Sequence, residues 1–159
     1  MADPFAFKKG VLLAETYEKV KPPPNPTGWW MSEKLDGVRA YWNGNNFYSR
    51  NGLLFDAPPW FKEGLPAATH LDGELWCGRE QFERCVGIIK YHKGNTATEW
   101  KHLVFLCFDA PLVDGEDGLP YEKHHEAVEQ AAWCLVAHGK HLPLTSLAHQ
   151  SRSCHAYMV

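Results

Sequence analysis

The sequence predicts an α+β fold built on an antiparallel sheet, and three features carry that expectation. Two β-prone segments, residues 38–42 and 47–49, flank Asn43-Gly44-Asn45-Asn46, which is strong hairpin chemistry. Between residues 80 and 89 the apolar positions change to helical spacing, at Phe82, Cys85, Val86 and Ile89. Residues 103–108 then form a continuous apolar run that suits a buried strand and stops at Asp109-Ala110-Pro111.

The remaining elements follow in chain order. Val11-Leu12-Leu13-Ala14 is a short apolar stretch, and Pro22-Pro23-Pro24-Asn25-Pro26 reads as a stiff extended connector. Residues 29–33 suit a first strand, before the hairpin. Ala57-Pro58-Pro59-Trp60 is expected to break the β pattern, and residues 69–76 form another strand entered after Pro66. Residues 121–136 make the strongest helix, with Pro120 at its start, Val128, Ala131, Ala132 and Leu135 on one side, and Gly139 beyond its end. Residues 140–159 have no clear period and read as a tail with no completed element. No internal repeat is visible.

Composition narrows the function classes. With 159 residues, 45% of them hydrophobic and seven Trp, the chain can build the core of one domain. A net charge of −3 does not mark a nucleic-acid binder, so any such binding must rest on local basic patches. Five cysteines form no C-x-x-C pair and are odd in number, which together with the absence of a recognisable signal peptide predicts reduced thiols in an intracellular compartment, nuclear or cytoplasmic. No apolar run approaches the length of a membrane span. Cys134, His138 and His141 offer three possible zinc ligands near a helix end but no fourth, and His124-His125 reads as a solvated helix face.

The chemistry concentrates in Ser32-Glu33-Lys34-Leu35-Asp36-Gly37-Val38-Arg39. A lysine, with an ordinary pKa of about 10.4, is a poor nucleophile at neutral pH. It needs surroundings that favour the free amine and a cation beyond it to hold the group under attack. Leu35 and Val38 can bury this segment, Gly37 lets the chain turn sharply, and Arg39 supplies a charge suited to phosphate. Alone, the stretch is equally a strand end with an ordinary surface lysine. Three later groups have similarly plain readings. Arg50-Asn51-Gly52 can be a turn after the hairpin, Asp72-Gly73-Glu74 a solvated turn, and Phe108 a core aromatic. No G-x-x-x-x-G-K-[ST] occurs, so a nucleotide would not be held by a P-loop.

Taken in order, Glu33 to Arg39, Ser49-Arg50-Asn51-Gly52, Leu71-Asp72-Gly73-Glu74-Leu75 and Val104-Phe105-Leu106-Cys107-Phe108-Asp109 resemble successive motifs of the ATP-dependent DNA ligases. The likeness is greatest to the small, minimal ligases, across Trp29 to Lys34 and Leu71 to Trp76. It implies the antiparallel-sheet nucleotidyltransferase (adenylation) fold, ATP and Mg²⁺ as cofactors, nicked double-stranded DNA as partner, and a monomer serving replication, repair and recombination. By this resemblance Lys34 is the nucleophile that attacks the α-phosphate of ATP to give lysyl-AMP. Arg39 positions the nucleotide and later the nick, and Arg50 contacts phosphate. Glu74 binds ribose or metal, and Phe108 stacks on adenine. Ser32 falls where family members contact the adenine edge, and Glu33 beside it belongs to the same nucleotide-binding set. Elementary chemistry agrees, because phosphoryl transfer is governed by positioning and by charges set against the phosphates.

The resemblance also defines departures. The acidic Glu-Gly motif and the paired-lysine motif that follow in the family are not recognisable, nor is an oligonucleotide-binding domain. The expected organisation is an extension and connector over residues 1–28, a partial nucleotidyltransferase domain over 29–139 and a divergent tail over 140–159. An incomplete sheet is expected to leave apolar faces and strand edges uncovered, and nick sealing by this chain to be weak. Two other readings share the motifs: an RNA ligase or capping-type nucleotidyltransferase, and a non-catalytic fragment.

Overall fold

A computed structural model describes residues 11, 15–16, 31–67, 69–90, 96–111, 123, 126–128 and 156–158. In chain order the elements are β1 (Glu15–Thr16), β2 (Met31–Glu33), β3 (Val38–Trp42), β4 (Phe47–Ser49), β5 (Leu54–Phe55), α1 (Pro59–Lys62), β6 (Leu71–Trp76), α2 (Phe82–Lys90), α3 (Thr96–Glu99), a 3₁₀ turn (Trp100–His102), β7 (Val104–Asp109) and β8 (Ala156–Met158). Among the described residues no helix is long and apolar enough to cross a membrane.

The hairpin forms where its turn chemistry predicts. The Asn43 side-chain oxygen accepts hydrogen bonds from the amides of Asn45 (3.0 Å) and Asn46 (2.8 Å), and Gly44 supplies the left-handed φ of 87°. The turn thus sets Tyr41 opposite Tyr48 and Trp42 opposite Phe47. Around this hairpin grows a five-stranded sheet in the order β5-β4-β3-β6-β7, antiparallel at every pairing.

Alternation along the strands divides this sheet into two faces. One carries Ala40, Trp42, Phe47, Leu71, Leu75, Phe105 and Cys107, which form the core with Cys85, Ile88 and Ile89 of α2 and with Trp100 of the 3₁₀ turn. Phe47 lies at the centre, its ring 5.0 Å from that of Trp42, 4.9 Å from Phe105 and 5.9 Å from Phe61. Tilted and edge-on contacts of this kind add to the gain from burial alone. Trp42 also needs a polar partner inside, and its indole nitrogen donates to the Pro66 carbonyl at 2.7 Å. The opposite face presents Arg39, Tyr41, Asp72, Glu74 and Leu106.

Between β6 and β7 the register shifts: Gly73 pairs with Cys107, but Asp72 pairs with Asp109, so Phe108 is the extra residue of a bulge. Gly73 is required there, since a Cβ would collide with the Leu106 carbonyl and come within 2.6 Å of the Phe105 ring.

Several expectations change. The Pro58-Pro59 pair does not simply break the β pattern; Pro59 opens α1, where its missing N–H costs nothing. The buried side of α2 is Cys85, Ile88 and Ile89, while Phe82 lies at the exposed start of the helix. Thr96–Glu99 and Trp100–His102 are helical turns that showed no period in so short a span. Of residues 121–136, Lys123 and 126–128 are described and helical, with Val128 in the core. The apolar stretch 12–14, the Pro-rich run, His124-His125 and the Cys134, His138, His141 group lie outside the described residues. The largest correction concerns the end of the chain. Residues 156–158, expected to be featureless, form β8, the middle strand of a second sheet ordered β1-β8-β2.

The packing gives a direct test. Phe47→Ala should destabilise the protein by about 3–5 kcal/mol, whereas Leu54→Ala at a largely exposed position should stay within about 0.5 kcal/mol. Urea unfolding followed by tryptophan fluorescence measures both; equal effects would contradict the assignment of the core face.

Candidate active site

The loop from Lys34 to Gly37 joins the two sheets. β2 ends at Glu33, Lys34 follows it as an exposed side chain, and β3 begins at Val38. On entering β3 the chain passes close to β6, and Gly37 makes that approach possible. A Cβ at Gly37 would lie 2.8 Å from Cγ of Glu74 and strike the Leu75 carbonyl. The value of glycine here is therefore space against β6; the turn sequence alone suggested chain reversal, but Gly37 is not among the residues with positive φ.

That approach defines the surroundings of Glu74. Its carboxyl is pushed up to about 7 by burial. The charges of Lys34 and Arg39 and a hydrogen bond from the Gly37 amide pull it back, while Asp72 adds to the upward push. Glu74 thus stands in the electrostatic reach of the lysine and directly opposite Arg39 in the β3–β6 register. Near neutral pH it can carry or release a proton, accept from a sugar hydroxyl, or offer one carboxylate to a cation.

Arg39 is held from below by Asp72. The guanidinium Nε donates to both carboxylate oxygens, at 3.1 and 3.2 Å, and Nη2 donates to Oδ2. Asp72 is 1% exposed, so burial pushes its carboxyl upward, opposed by the hydrogen bonds and charge of Arg39 and by the Gly73 amide. Fixed in this way, the Arg39 guanidinium lies over the Phe108 ring with Cζ 5.6 Å from its centroid, within cation–π range. One strand position along, the Tyr41 hydroxyl meets Nδ1 of His70 at 2.6 Å. Burial, together with the charges of Asp72 and Asp109, holds the Tyr41 phenol well above its ordinary pKa, and burial lowers that of His70.

Of the residues singled out in the sequence, four come together: Arg39 stands opposite Glu74, its guanidinium lies over the Phe108 ring, and the charge of Lys34 reaches the Glu74 carboxyl. Arg50 is exposed on the turn that follows β4, a tight reversal closed by Gly52 N–H to the Ser49 carbonyl (2.9 Å) and Leu53 N–H to Ser49 Oγ (3.0 Å). It stands one residue beyond the Ala40–Ser49 pair and so at the level of Arg39. Ser32 and Glu33 lie in β2, with Ser32 paired to Tyr157 and Glu33 to Ala156. Sequence reasoning passed over Asp72, Tyr41 and His70. The first two were reachable by period-two counting from Glu74 and Arg39; His70, just outside β6, gave no signal. Among the described residues no group of three or more His, Cys, Asp or Glu could hold a metal ion.

The raised Glu74 carboxyl has a pH consequence with a definite sign. Because the folded state binds this proton more tightly than the unfolded chain, the group lowers stability as pH rises from the ordinary Glu range, about 4.5, to about 7. Glu74→Gln should remove that loss, so the variant gains on the parent between pH 5 and pH 8 in urea unfolding. A difference between the two proteins that is constant across this range would contradict the burial of Glu74.

No protein-family profile matches the chain. A DNA ligase of Haemophilus influenzae is 39% identical over 116 residues, which are 72% of this chain and 40% of that protein. A solved structure from a structure–function study of Lig E DNA ligases, concerned with DNA binding by a minimal scaffold, superposes with a TM-score of 0.67 at 32% identity, covering 84% of this chain and 48% of that one. A further solved structure, Pmar-Lig_Pre, aligns with a TM-score of 0.50 at 23% identity over 70% of this chain and 28% of its own, which is a likeness of fold. The chain thus spans less than half the length of each of these proteins. Over most of its length, in sequence and in fold, the chain is similar to DNA ligases.

Proposed function

We propose that this chain is the nucleotide-charging part of an ATP-dependent DNA ligase, with Lys34 as the group that accepts AMP. The observation that carries the reading is that residues of three separate motifs meet: Arg39 faces Glu74, its guanidinium lies over Phe108, and the charge of Lys34 acts on Glu74. A lysine alone would not select a phosphoryl substrate. A lysine beside a fixed guanidinium, a half-buried carboxyl and an aromatic ring has a partner for each part of a nucleotide.

In this reading the unprotonated amine of Lys34 attacks the α-phosphorus of ATP in line with the departing pyrophosphate. A P–N bond forms as the bond between the α-phosphorus and the bridging oxygen breaks. Arg39, oriented by Asp72, lies against the phosphates and offsets the charge that develops on their oxygens. Phe108 receives the purine, Glu74 takes a ribose hydroxyl, and Arg50 adds a cation at the sheet end. Where Mg²⁺ is bound, Glu74 is the residue to hold it together with nucleotide oxygens, and the ion neutralises phosphate charge. AMP then passes to the 5′-phosphate of a DNA nick, which the neighbouring 3′-hydroxyl closes with release of AMP.

Incubation with labelled ATP and Mg²⁺, followed by denaturing electrophoresis, tests the first step. The parent chain should retain label. Lys34→Ala should abolish it, and so should Lys34→Arg, since a guanidinium stays protonated and offers no free amine. Label that survives in Lys34→Ala would overturn the reading.

The ring makes a separate prediction. Phe108→Ala should weaken ATP binding by about 1–3 kcal/mol, the scale of base stacking on an aromatic side chain. Titration calorimetry on the parent and the variant measures it, and unchanged affinity would remove Phe108 from the site.

A further inference from the structure

The sheet that the lysine follows has an unexpected composition. β2 ends one residue before Lys34, and its partner is β8, drawn from the end of the chain. β8 is the middle strand, since it pairs with β2 on one side and β1 on the other, antiparallel to both. Tyr157 stands opposite Thr16 and Ser32 at once, Met158 opposite Glu15 and Met31, and Ala156 opposite Glu33. Among the described residues β1 and β2 pair with no strand but β8, so without β8 neither would belong to a sheet.

We propose that Ala156–Met158 is a positioning strand for Lys34: by holding β2 through its backbone, the distal segment sets where the lysine stands relative to Arg39 and Glu74. This rests on the reading of Lys34 as the nucleophile. Glu33 is the last paired residue before the lysine, and its partner is Ala156. The lysine therefore leaves the sheet from a backbone position that β8 fixes, and the Arg39–Glu74 pair waits on another sheet. Three residues of β2 have no means of holding that position by themselves, because an isolated strand has no ladder partner. For an in-line attack, displacement of the reacting group by about 1 Å can cost about 10²-fold in rate.

The segment acts through backbone pairing, so its side-chain chemistry should matter less than its ability to stay in the ladder. Proline lacks the N–H and is excluded from central strands, while glycine keeps the N–H but weakens the strand. In the full chain, Tyr157→Pro should lower the single-turnover rate of lysine labelling by about 10²-fold at saturating ATP. The concentration of ATP giving half-maximal rate should change much less than the rate, because Phe108, Arg39 and Glu74 lie on the other sheet and only Ser32 and Glu33 of the nucleotide-binding set lie in β2. Tyr157→Gly should fall between, and Tyr157→Phe should match the parent.

Hydrogen exchange read by mass spectrometry supplies a second measurement that does not depend on activity. Tyr157→Pro should speed exchange in Met31–Glu33 and leave Leu71–Trp76 protected as in the parent, which also shows that the variant folds. If Tyr157→Pro instead leaves Leu71–Trp76 unprotected, Tyr157→Gly carries the test with the same two readouts. Parent-like exchange at Met31–Glu33, or a parent-like labelling rate in a variant whose strand is open, would overturn the proposal. A parent chain that takes no label, yet shows faster exchange at Met31–Glu33 in Tyr157→Pro, would refute Lys34 as nucleophile and with it the positioning role, and leave the pairing of β8 with β2 standing.

Discussion

Asp72 is a carboxylate almost wholly removed from water, and the Arg39 guanidinium grips it through two nitrogens. Much of the site's geometry depends on this contact. Taking a carboxylate out of water is costly unless the charge is paired and hydrogen-bonded. With Arg39 cut away, the uncompensated charge would cost about 3–5 kcal/mol, a large share of the stability of a small domain. The pair also reaches diagonally between β3 and β6, and so opposes slippage of one strand along the other. A slip of one residue would send Arg39 to the apolar face and bring Ala40 out. Register, core and charged face are thereby fixed together.

The bulge at Phe108 extends the same arrangement to β7. An added residue bends its strand and re-aims the side chain beside it. Here it leaves Phe108 half-buried under the Arg39 guanidinium and brings Asp109 level with Asp72. Gly73 permits the close spacing of β6 and β7 at that point. One glycine makes room for the ring's strand and another, Gly37, makes room for the lysine's loop against Glu74. In both cases glycine serves a close approach of backbones, and the charged face is assembled by bringing strands nearer than side chains would allow.

Much of this was legible in the sequence because it is written in local patterns. The Asn-Gly turn, the period-two strands on either side and the helical spacing before Lys90 each act within a few residues, and each element formed where expected. The four convergent residues were legible for another reason: their motifs come in a family order that no single stretch carries. What was not legible depends on distant pairing. Nothing near Tyr157 marks it as a strand, since its partners stand at Thr16 and Ser32. The capture of Arg39 by Asp72 likewise spans 33 residues and needed the β3–β6 register before it could be seen. Pro59 misled for a simpler reason, because the same ring that ends a strand is favoured at the first position of a helix.

The proposed nucleophile follows a strand of one sheet, the groups proposed to receive its substrate lie on the other, and the link between them is short. From Lys34 to Val38 there are four residue steps, so the lysine Cα can never lie farther than about 14 Å from the start of β3. That bound keeps Lys34 in the neighbourhood of Glu74 but is far too loose for chemistry, which requires placement to within a fraction of an ångström. The remaining precision must come from what holds β2. The larger sheet contributes through Gly37, whose amide bonds Glu74; the smaller contributes through the pairing of Glu33 with Ala156. The smaller sheet is built of strands two and three residues long, and structure of that size opens more readily than a five-stranded core. The lysine is thus tethered on one side to the five-stranded sheet and on the other to a smaller sheet that opens more readily. The proposed adenylylation would then respond to events at residues 156–158 through the pairing of β8 with β2.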